Sequence, residues 1–254
     1  MRSAAVITGY LNSRICLLKG CGPVTDDGKN KGVCHKDLDF VHARTMGYGM
    51  SQMIVPHNRV RLFGNPLLEA LTVISAPAFI ALWAVGLPAI LVFALLYAPT
   101  SWAHLLVVAG LIGWTITEYA LHRFVFHFDA RWAVIKRVIF IIHGNHHADP
   151  NDSLRNLMPP IVSLPVGGLI WAALVTIIGP EGTWSFLGFM TGYVAYDLVH
   201  FACHQWPMKG RFARILKVHH MRHHHLHVRG NYAITGMVWD RLLSTRIGDR
   251  QERV

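Results

Sequence analysis

Two long apolar blocks constrain the fold of this 254-residue chain more than any other feature of its sequence. The first block, from Pro66 to Thr117, contains one carboxylate, Glu69, and one histidine, His104. The second block, from Pro159 to Tyr196, contains a single charged residue, Glu181. Because a transmembrane helix needs about 20 mostly apolar residues, each block is long enough for two membrane spans.

Each block divides at a short turn and therefore predicts a helical hairpin, the first at residues 98–101 and the second at residues 179–182. The four predicted spans lie near residues 70–97, 102–121, 161–178 and 183–203. Pro88, which follows Gly86, leaves open whether the first span is kinked or re-entrant. We therefore predict an all-α integral membrane protein with four transmembrane helices in two hairpins.

The basic residues predict the topology. All 24 Lys and Arg residues lie outside the spans, with nine before Pro66, five from Arg123 to Arg155 and ten from Lys209 to Arg253. Because cytoplasmic loops carry the excess of Lys and Arg, both termini are expected in the cytosol, in a bacterial inner membrane or the endoplasmic reticulum. The net charge of +10 is then explained by an anionic leaflet, and nucleic acid is not expected as a partner.

The first 58 residues differ in composition from the rest of the chain. They contain three of the four cysteines, Cys16, Cys21 and Cys34, without the spacing of a common zinc site. They show no secretory signal segment, and cytosolic thiols should be reduced. We predict that residues 1–58 form a disordered or dispensable extension and that residues 59–254 form the membrane domain.

Ten of the 17 histidines form four spaced clusters, all expected on the cytosolic face. They are His122 and His127, then His143, His146 and His147, then His200 and His204, and finally His220, His223 and His224. Neutral imidazole is a usual ligand for first-row transition metals. Since structural zinc takes four ligands, so many imidazoles predict two metal ions in a cytosolic helical cap. Ligation by nitrogen alone favours non-haem iron, although zinc can occupy such sites in a purified sample.

The spacing within the clusters indicates how they can share a site. In each His-x-x-His-His motif, at residues 143–147 and 220–224, positions i, i+3 and i+4 lie on one helical face. One turn can therefore present three nitrogens. His122 and His127 are five residues apart. On a continuing α-helix their rings would point well apart, which suits ligands for two different metals or a helix that ends between them.

Two carboxylates precede a histidine on the same predicted helix. Glu118 lies four residues before His122, and Asp197 lies three residues before His200. A carboxylate in this position can accept the ring N–H that the metal does not use. We predict this role for both, with a charge at the membrane interface as the alternative for Glu118.

Seven further histidines are left out of the predicted site. Four of them stand alone in the sequence, and a lone histidine is more often a satisfied polar residue than a ligand. These four are His35, His42, His57 and His104. The other three lie beside the last cluster, where exposed histidines are common, and they are His219, His225 and His227.

These residues give the chain a resemblance to the fatty acid hydroxylase superfamily of sterol desaturase-like integral-membrane di-iron enzymes. It is most similar to the fatty acid 2-hydroxylases, from about Arg61 to Gly248. The resemblance rests on the order of six pieces: Glu118-Tyr-x-x-His122-Arg-Phe-x-Phe-His127, His143-Gly-x-His146-His147-x-x-Pro150-x-Asp152-x-x-Arg155, Met158-Pro159-Pro160, Gly192-Tyr193-x-x-Tyr196-Asp197-x-x-His200, His220-x-x-His223-His224 and Trp239-Asp240.

The resemblance implies that the ten histidines bind two iron ions. It implies that the chain uses O2 and two electrons to hydroxylate a membrane lipid, at carbon 2 of a fatty acid or of a sphingolipid N-acyl chain. Many eukaryotic 2-hydroxylases carry an N-terminal cytochrome b5 domain. The first 60 residues here are too short for one and lack its His-Pro-Gly-Gly motif. Electrons are therefore expected in trans, from a separate cytochrome b5, ferredoxin or similar protein.

Several alternatives stay open. Asp152 and Arg155 are expected either to contact the substrate headgroup or to order their loop, since Asn-Asp-Ser at residues 151–153 is good turn and cap chemistry. Sterol, sphingoid or carotenoid hydroxylases and desaturases use similar histidine sets. A histidine-rich membrane metal transporter is the alternative of another class. Transport requires polar ligands near the bilayer midplane, whereas the clusters lie at the cytosolic ends of the spans. Only His104 lies within a span, and it has no partner at helical spacing.

Overall fold

A computed structural model describes residues 59–226 and 228–248. The predicted extension and its three cysteines lie outside the described residues, so the domain boundary stays a prediction. All regular secondary structure in the described ranges is helical. The α-helices are α1 Pro66–Ala70, α2 Ala76–Tyr97, α3 Ala103–Ala120, α4 Ala133–Ile139, α5 Asn145–Ala148, α6 Pro160–Ile178, α7 Gly182–Gln205, α8 Arg211–His225 and α9 Val238–Leu242. Two π-helical turns span Leu121–Phe126 and Phe140–Gly144.

Four of these helices are long and apolar enough to cross a membrane, which confirms the predicted spans. They are Ala76–Tyr97, Ala103–Phe126, Pro160–Ile178 and Gly182–Gln205. The first span begins six residues later than the predicted residue 70, because Ser75 caps a new helix by accepting a hydrogen bond from the Ala78 N–H. Helix α2 continues through Pro88 to Tyr97, so the first span is not re-entrant.

The spans form two hairpins whose tips lie together. The Trp184 indole N–H, at the start of α7, donates to the Ala98 carbonyl at the end of α2, at 2.7 Å. At the opposite end, the Ile74 N–H just before α2 donates to the Leu154 carbonyl in the loop before α6, at 3.0 Å. The histidine clusters lie at this second end of the helices.

Helix α7 is the central helix, since 61% of its most apolar stretch is buried, compared with 6% for α6. Helix α3 crosses it at glycines that allow close backbone approach. A Cβ added at Gly110 would lie 1.9 Å from the Ser185 carbonyl oxygen, and one at Gly188 would lie 2.0 Å from the Val107 carbonyl oxygen. Small residues at such crossings are typical of membrane helices. This crossing fixes the two spans that carry the first and third histidine clusters.

Candidate metal centre

The ten predicted histidines all come together, and they form two groups of five. In each group, the potential ligand atoms all lie within 4.8 Å of one another. Group one contains His122, His127, His143, His147 and His223. Group two contains His146, His200, His204, His220 and His224. Each group could therefore hold one metal ion.

Each His-x-x-His-His motif contributes to both groups. In residues 143–147 the first and last histidines join group one, while His146 joins group two. In residues 220–224 the first and last histidines join group two, while His223 joins group one. Positions i+3 and i+4 are rotated by about 100° around a helix. One turn therefore presents three nitrogens, as predicted, but it divides them between two sites.

His122 and His127 belong to the same group although they are five residues apart. Residues Leu121–Phe126 form a π-helical turn, in which the His127 N–H donates to the His122 carbonyl at 3.3 Å. The wider turn brings positions i and i+5 to one side, and the two Nε2 atoms lie 3.3 Å apart. Of the two alternatives left open for this pair, the structure has neither a regular α-helix with the rings well apart nor a helix that ends between them, because the π-helical turn continues from α3 to Phe126.

The Nε2 atoms face one another at distances that fit a shared metal ion. In group one, contacts between 2.9 and 3.3 Å form a closed ring through all five histidines. In group two, the corresponding contacts lie between 2.7 and 3.1 Å. Two nitrogens that are each about 2.1 Å from one ion, at a right angle, would lie about 3.0 Å apart.

The outer nitrogens of two rings in group two show why these contacts are not ordinary hydrogen bonds. His200 Nδ1 lies 3.0 Å from the Asn156 carbonyl oxygen, and His146 Nδ1 lies 3.2 Å from the Asn156 Oδ1. Since both oxygens only accept, each Nδ1 carries the proton and each Nε2 is a bare lone pair. These two lone pairs face each other at 2.9 Å, an arrangement that a cation between them would stabilise.

Group one is oriented in the same way by a loop that follows α8. His122 Nδ1 donates to the Tyr232 carbonyl, and His223 Nδ1 donates to the Gly230 carbonyl at 2.7 Å. Both donors belong to buried rings. A metal-bound histidine usually donates its other ring N–H to such an acceptor, which fixes the tautomer and the orientation of the ring.

The environment keeps these imidazoles neutral, which is the form that binds a metal. Burial, followed by the neighbouring imidazoles, lowers the pKa of His127 to about 4 and that of His147 to about 3. The same causes hold the pKa of His143, His146 and His220 well below the usual range. A group of uncharged nitrogens that converge on one point fits a cation better than any other occupant.

Glu118 does not contact His122 in the way that the sequence predicted. Its side chain is buried and accepts hydrogen bonds from the Ile234 N–H, the Thr235 N–H at 2.8 Å and the Thr235 hydroxyl. These bonds fasten the loop whose Tyr232 carbonyl receives the His122 ring N–H. The predicted direct contact is wrong, because the loop carbonyl occupies the place beside the ring.

Asp197 acts on the neighbouring loop in a similar way. Its carboxylate accepts the Met158 N–H at 3.0 Å, rather than the ring N–H of His200 that was predicted. Met158 lies two residues beyond Asn156, whose carbonyl takes the His200 ring N–H. Both carboxylates therefore hold the loops that orient the histidines and do not bond the rings themselves.

Asp152 and Arg155 show the contacts of loop ordering. Asp152 forms an ion pair with Arg59 at 2.7 Å. Arg155 is 9% exposed, donates to the Val60 carbonyl at 2.6 Å and pairs with the Glu69 carboxylate. Together they tie the loop before α6 to residues 59–69.

Two residues that orient the ligand rings or support their loop, Asn156 and Asp240, were assigned no role from the sequence. Asn156 contacts rings of group two through both its carbonyl and its side chain, and no single-sequence signal identifies it. Asp240 is fully buried and accepts the N–H groups of Tyr232 and Ala233 at 2.9 and 2.8 Å, while His219 Nε2 lies 3.0 Å from it. Asp240 is the one carboxylate between residues 206 and 248, which is a signal that could have drawn attention to it.

A cavity of about 140 Å³ adjoins both groups. Its wall includes His143 of group one and His146 and His200 of group two, together with Glu118 and Asp197. Apolar side chains make up much of the rest, among them Leu121, Phe126, Ile141, Ile142, Ile161 and Val162. The cavity can therefore place an alkyl chain beside both candidate metal sites.

Comparisons with known proteins agree with this arrangement. A family model described as fatty acid hydroxylase matches residues 107–245. The ceramide very long chain fatty acid hydroxylase scs7 of Schizosaccharomyces pombe is 33% identical over 189 residues, which are 72% of this chain and 54% of that protein. The dihydroceramide fatty acyl 2-hydroxylase FAH2 of Arabidopsis thaliana is 33% identical over 145 residues, 57% of this chain and 61% of that protein. The fatty acid 2-hydroxylase of Homo sapiens is 34% identical over 149 residues, 56% of this chain and 39% of that protein.

The chain spans about half the length of the first of these relatives. A solved structure described as full-length scs7p, with only the hydroxylase domain visible, matches with a TM-score of 0.67 and 30% identity. The match covers 73% of this chain and 71% of that one. The likeness therefore extends over the spans and the histidine-bearing cap together.

Proposed function

This chain belongs to the fatty acid hydroxylase family, and on that premise we propose that it is a membrane-bound di-iron monooxygenase that hydroxylates an acyl chain at carbon 2. The printed names of its relatives refer to ceramide, dihydroceramide fatty acyl and fatty acid substrates. The proposed substrate is accordingly a fatty acid or a sphingolipid N-acyl chain. The observation that most supports the proposal is that both histidine groups reach the wall of one largely apolar cavity.

Each group of five histidines would hold one iron ion. Five protein nitrogens are one fewer than an octahedral ion takes. When bound, the iron would supply the oxygen chemistry, in which O2, two electrons and two protons convert a C–H bond into a C–OH group and release one water molecule. The protein supplies orientation and a water-poor pocket.

The residues of the chain itself determine which carbon reacts. The apolar wall of the cavity binds the alkyl chain and excludes water. The side chain of Asn145 also lines the cavity, and its amide suits the carboxyl or amide end of a substrate. If that end stays near it, carbon 2 is the methylene closest to the histidine groups, and proximity sets the regioselectivity.

The histidine end of the helices is proposed to face the cytosol, with both termini on that side, in a bacterial inner membrane or the endoplasmic reticulum. The hairpin tips at residues 98–101 and 179–182 contain no Lys or Arg, whereas the loops at the histidine end contain many. A cytosolic site is accessible to a soluble or tethered electron carrier. Electrons are proposed to come from a separate protein such as a cytochrome b5 or a ferredoxin.

Lipid mass spectrometry of cells that express the chain tests this function. The matched variant is the double substitution His146→Ala, His147→Ala, which removes one ligand from each group. We expect 2-hydroxy acyl species with the unaltered chain and none with the double variant. His104→Ala, at the start of α3 and far along the helix from the groups, should behave like the unaltered chain. Absence of any oxidised lipid, with an electron donor supplied, would refute the proposal.

A further inference from the structure

A basic groove lies apart from the histidine groups and their cavity. It has a volume of about 430 Å³ and is lined mainly by residues of α8, α9 and the segment after α9. Its five arginines are Arg211, Arg214, Arg222, Arg241 and Arg246. The apolar side chains of Ile215, Val218 and Met237 lie between them. Protein–protein interfaces are enriched in arginine and methionine, and they combine an apolar centre with a polar rim.

Among the described residues, basic side chains outnumber carboxylates around this groove. The described segment from residue 206 to residue 248 contains eight basic residues, Lys209, Arg211, Arg214, Lys217, Arg222, Arg229, Arg241 and Arg246. Its one carboxylate, Asp240, is fully buried and turned toward the loop at residues 232–233. Within the described ranges, no ion pair joins Arg211, Arg214, Arg241 or Arg246 to a carboxylate.

The groove lies on the opposite face of α8 from the metal ligands. At about 100° per residue, Arg211, Arg214 and Val218 fall on one side of the helix, while His220 and His224 fall on the other. The groove is therefore separated from group two by roughly one helix diameter, about 10 Å. It shares no lining residue with the apolar cavity, so a protein bound there would leave the substrate site open.

A chain of contacts leads from the groove wall to the histidines. His219 lines the groove and contacts Asp240 at 3.0 Å. Asp240 accepts the Tyr232 N–H at 2.9 Å, and the Tyr232 carbonyl accepts the His122 ring N–H. His220, the next residue after His219, belongs to group two. A short series of bonded contacts therefore connects the groove wall to a histidine of each group.

We propose that this groove is the docking surface for the acidic face of a protein that carries one electron at a time. This inference rests on the proposed function, since the proposed hydroxylation consumes two electrons. Two reduced carriers, each oxidised by one electron, together with two protons from water, would balance the conversion of O2 and a C–H bond into a C–OH group and one water molecule. Guanidinium groups pair with carboxylates in a fixed, two-pronged geometry, and complementary charge accelerates association. A concave surface fits a rounded protein better than it fits a flat anionic membrane.

The test uses the full chain, reconstituted in vesicles with iron, and a soluble cytochrome b5 kept reduced by its reductase. The groove variant is Arg211→Glu, Arg214→Glu, Arg241→Glu. The matched control is Arg131→Glu, Lys136→Glu, two exposed basic residues near α4 that lie outside the groove. We expect the carrier concentration for half-maximal rate to rise about tenfold or more in the groove variant, with a weaker dependence on salt. The control should change it less than about threefold.

A single-turnover arm separates the two proposals. Chain that has been reduced chemically without a carrier and then exposed to O2 should give equal hydroxylated product from the unaltered chain and the groove variant. If the unaltered chain gives no product, the proposed function fails. If product forms but the groove variant uses the carrier as well as the control does, the docking proposal fails. It also fails if the variant's defect follows the anionic lipid content of the vesicles rather than the carrier concentration.

Discussion

Two loops orient the histidine groups, and both are held by a carboxylate from a membrane span. On one side, Glu118 of α3 accepts three hydrogen bonds from Ile234 and Thr235. On the other side, Asp197 of α7 accepts the Met158 N–H. In each loop, a backbone carbonyl two residues before the position that the carboxylate binds accepts a histidine ring N–H. The Tyr232 carbonyl accepts from His122, and the Asn156 carbonyl accepts from His200. Each of these histidines lies one helical turn after the carboxylate. The same arrangement therefore serves both groups.

The two loops differ in what else supports them. The loop at group one has a second buried carboxylate, Asp240, which binds two further backbone N–H groups. The loop at group two relies on Asn156, which contacts two ligand rings at once. Beyond the span carboxylates, the loop at group one therefore has a second buried carboxylate, whereas the loop at group two has the amide of Asn156. Five predictions test this difference between the two loops, beginning with the largest expected effect.

Loss of a ligand should have the largest effect. His122→Ala removes a ligand from group one and His200→Ala removes one from group two. Each variant should lose about one of two bound iron ions and more than about 100-fold in hydroxylation rate. Metal analysis of the purified protein checks the first effect, and lipid analysis checks the second. Retention of both ions in either variant would contradict the assignment of the groups.

Substitution of the two span carboxylates should have the next largest effects on iron binding, and the carboxylate that accepts more hydrogen bonds should have the larger effect. Glu118→Gln should weaken iron binding by about 10- to 100-fold, because three donors lose a charged acceptor. Asp197→Asn should have a smaller effect, since one backbone N–H is involved. The rate at which a chelator removes iron measures both. An equal or reversed order would show that the loops do not depend on these carboxylates as the contacts indicate.

Asp240→Asn tests the additional support of group one. The change leaves backbone donors at residues 232 and 233 facing a neutral amide, at a cost of about 2 kcal/mol in the free energy of unfolding. Iron should leave group one faster, while group two should be little changed. Thermal unfolding together with chelator kinetics provides the measurement. A uniform loss from both groups would mean that Asp240 supports the whole cap.

Asn156→Ala tests the support of group two. The backbone carbonyl stays beside His200, whereas the side-chain oxygen beside His146 is lost. We expect about a tenfold loss in iron affinity. Asn156→Asp, which keeps an oxygen acceptor at the same position, should recover most of it. Equal defects in both variants would point to general loss of packing instead.

Thr235→Val should have the smallest effect. It removes the hydroxyl that donates to Glu118 and leaves the two backbone N–H donors in place. The expected cost is about 1 kcal/mol in the free energy of unfolding, with less than about threefold change in hydroxylation rate. A larger fall in rate would place the Thr235 hydroxyl closer to the chemistry than its contacts indicate.

Much of the fold could be predicted because it depends on local composition. Stretches such as 161–178 contain no charged residue, and a bilayer accepts such a stretch only as a helix that satisfies its own backbone. Eight of the ten histidines could be identified because they recur at intervals of three or four residues, whereas His122 and His127 are five residues apart. The π-helical turn at Leu121–Phe126 could not be predicted, since its extra residue per turn has no signature in the amino-acid pattern.

Composition and spacing were enough to predict the four spans, the hairpins and the set of histidines that come together. The division of those histidines into two groups, and the contacts of Glu118 and Asp197 with loops rather than rings, required the folded structure. Hydrophobicity and helical period act over neighbouring residues. A carbonyl such as that of Tyr232 reaches His122 across 110 positions of the chain, and that pairing depends on how separate helices pack.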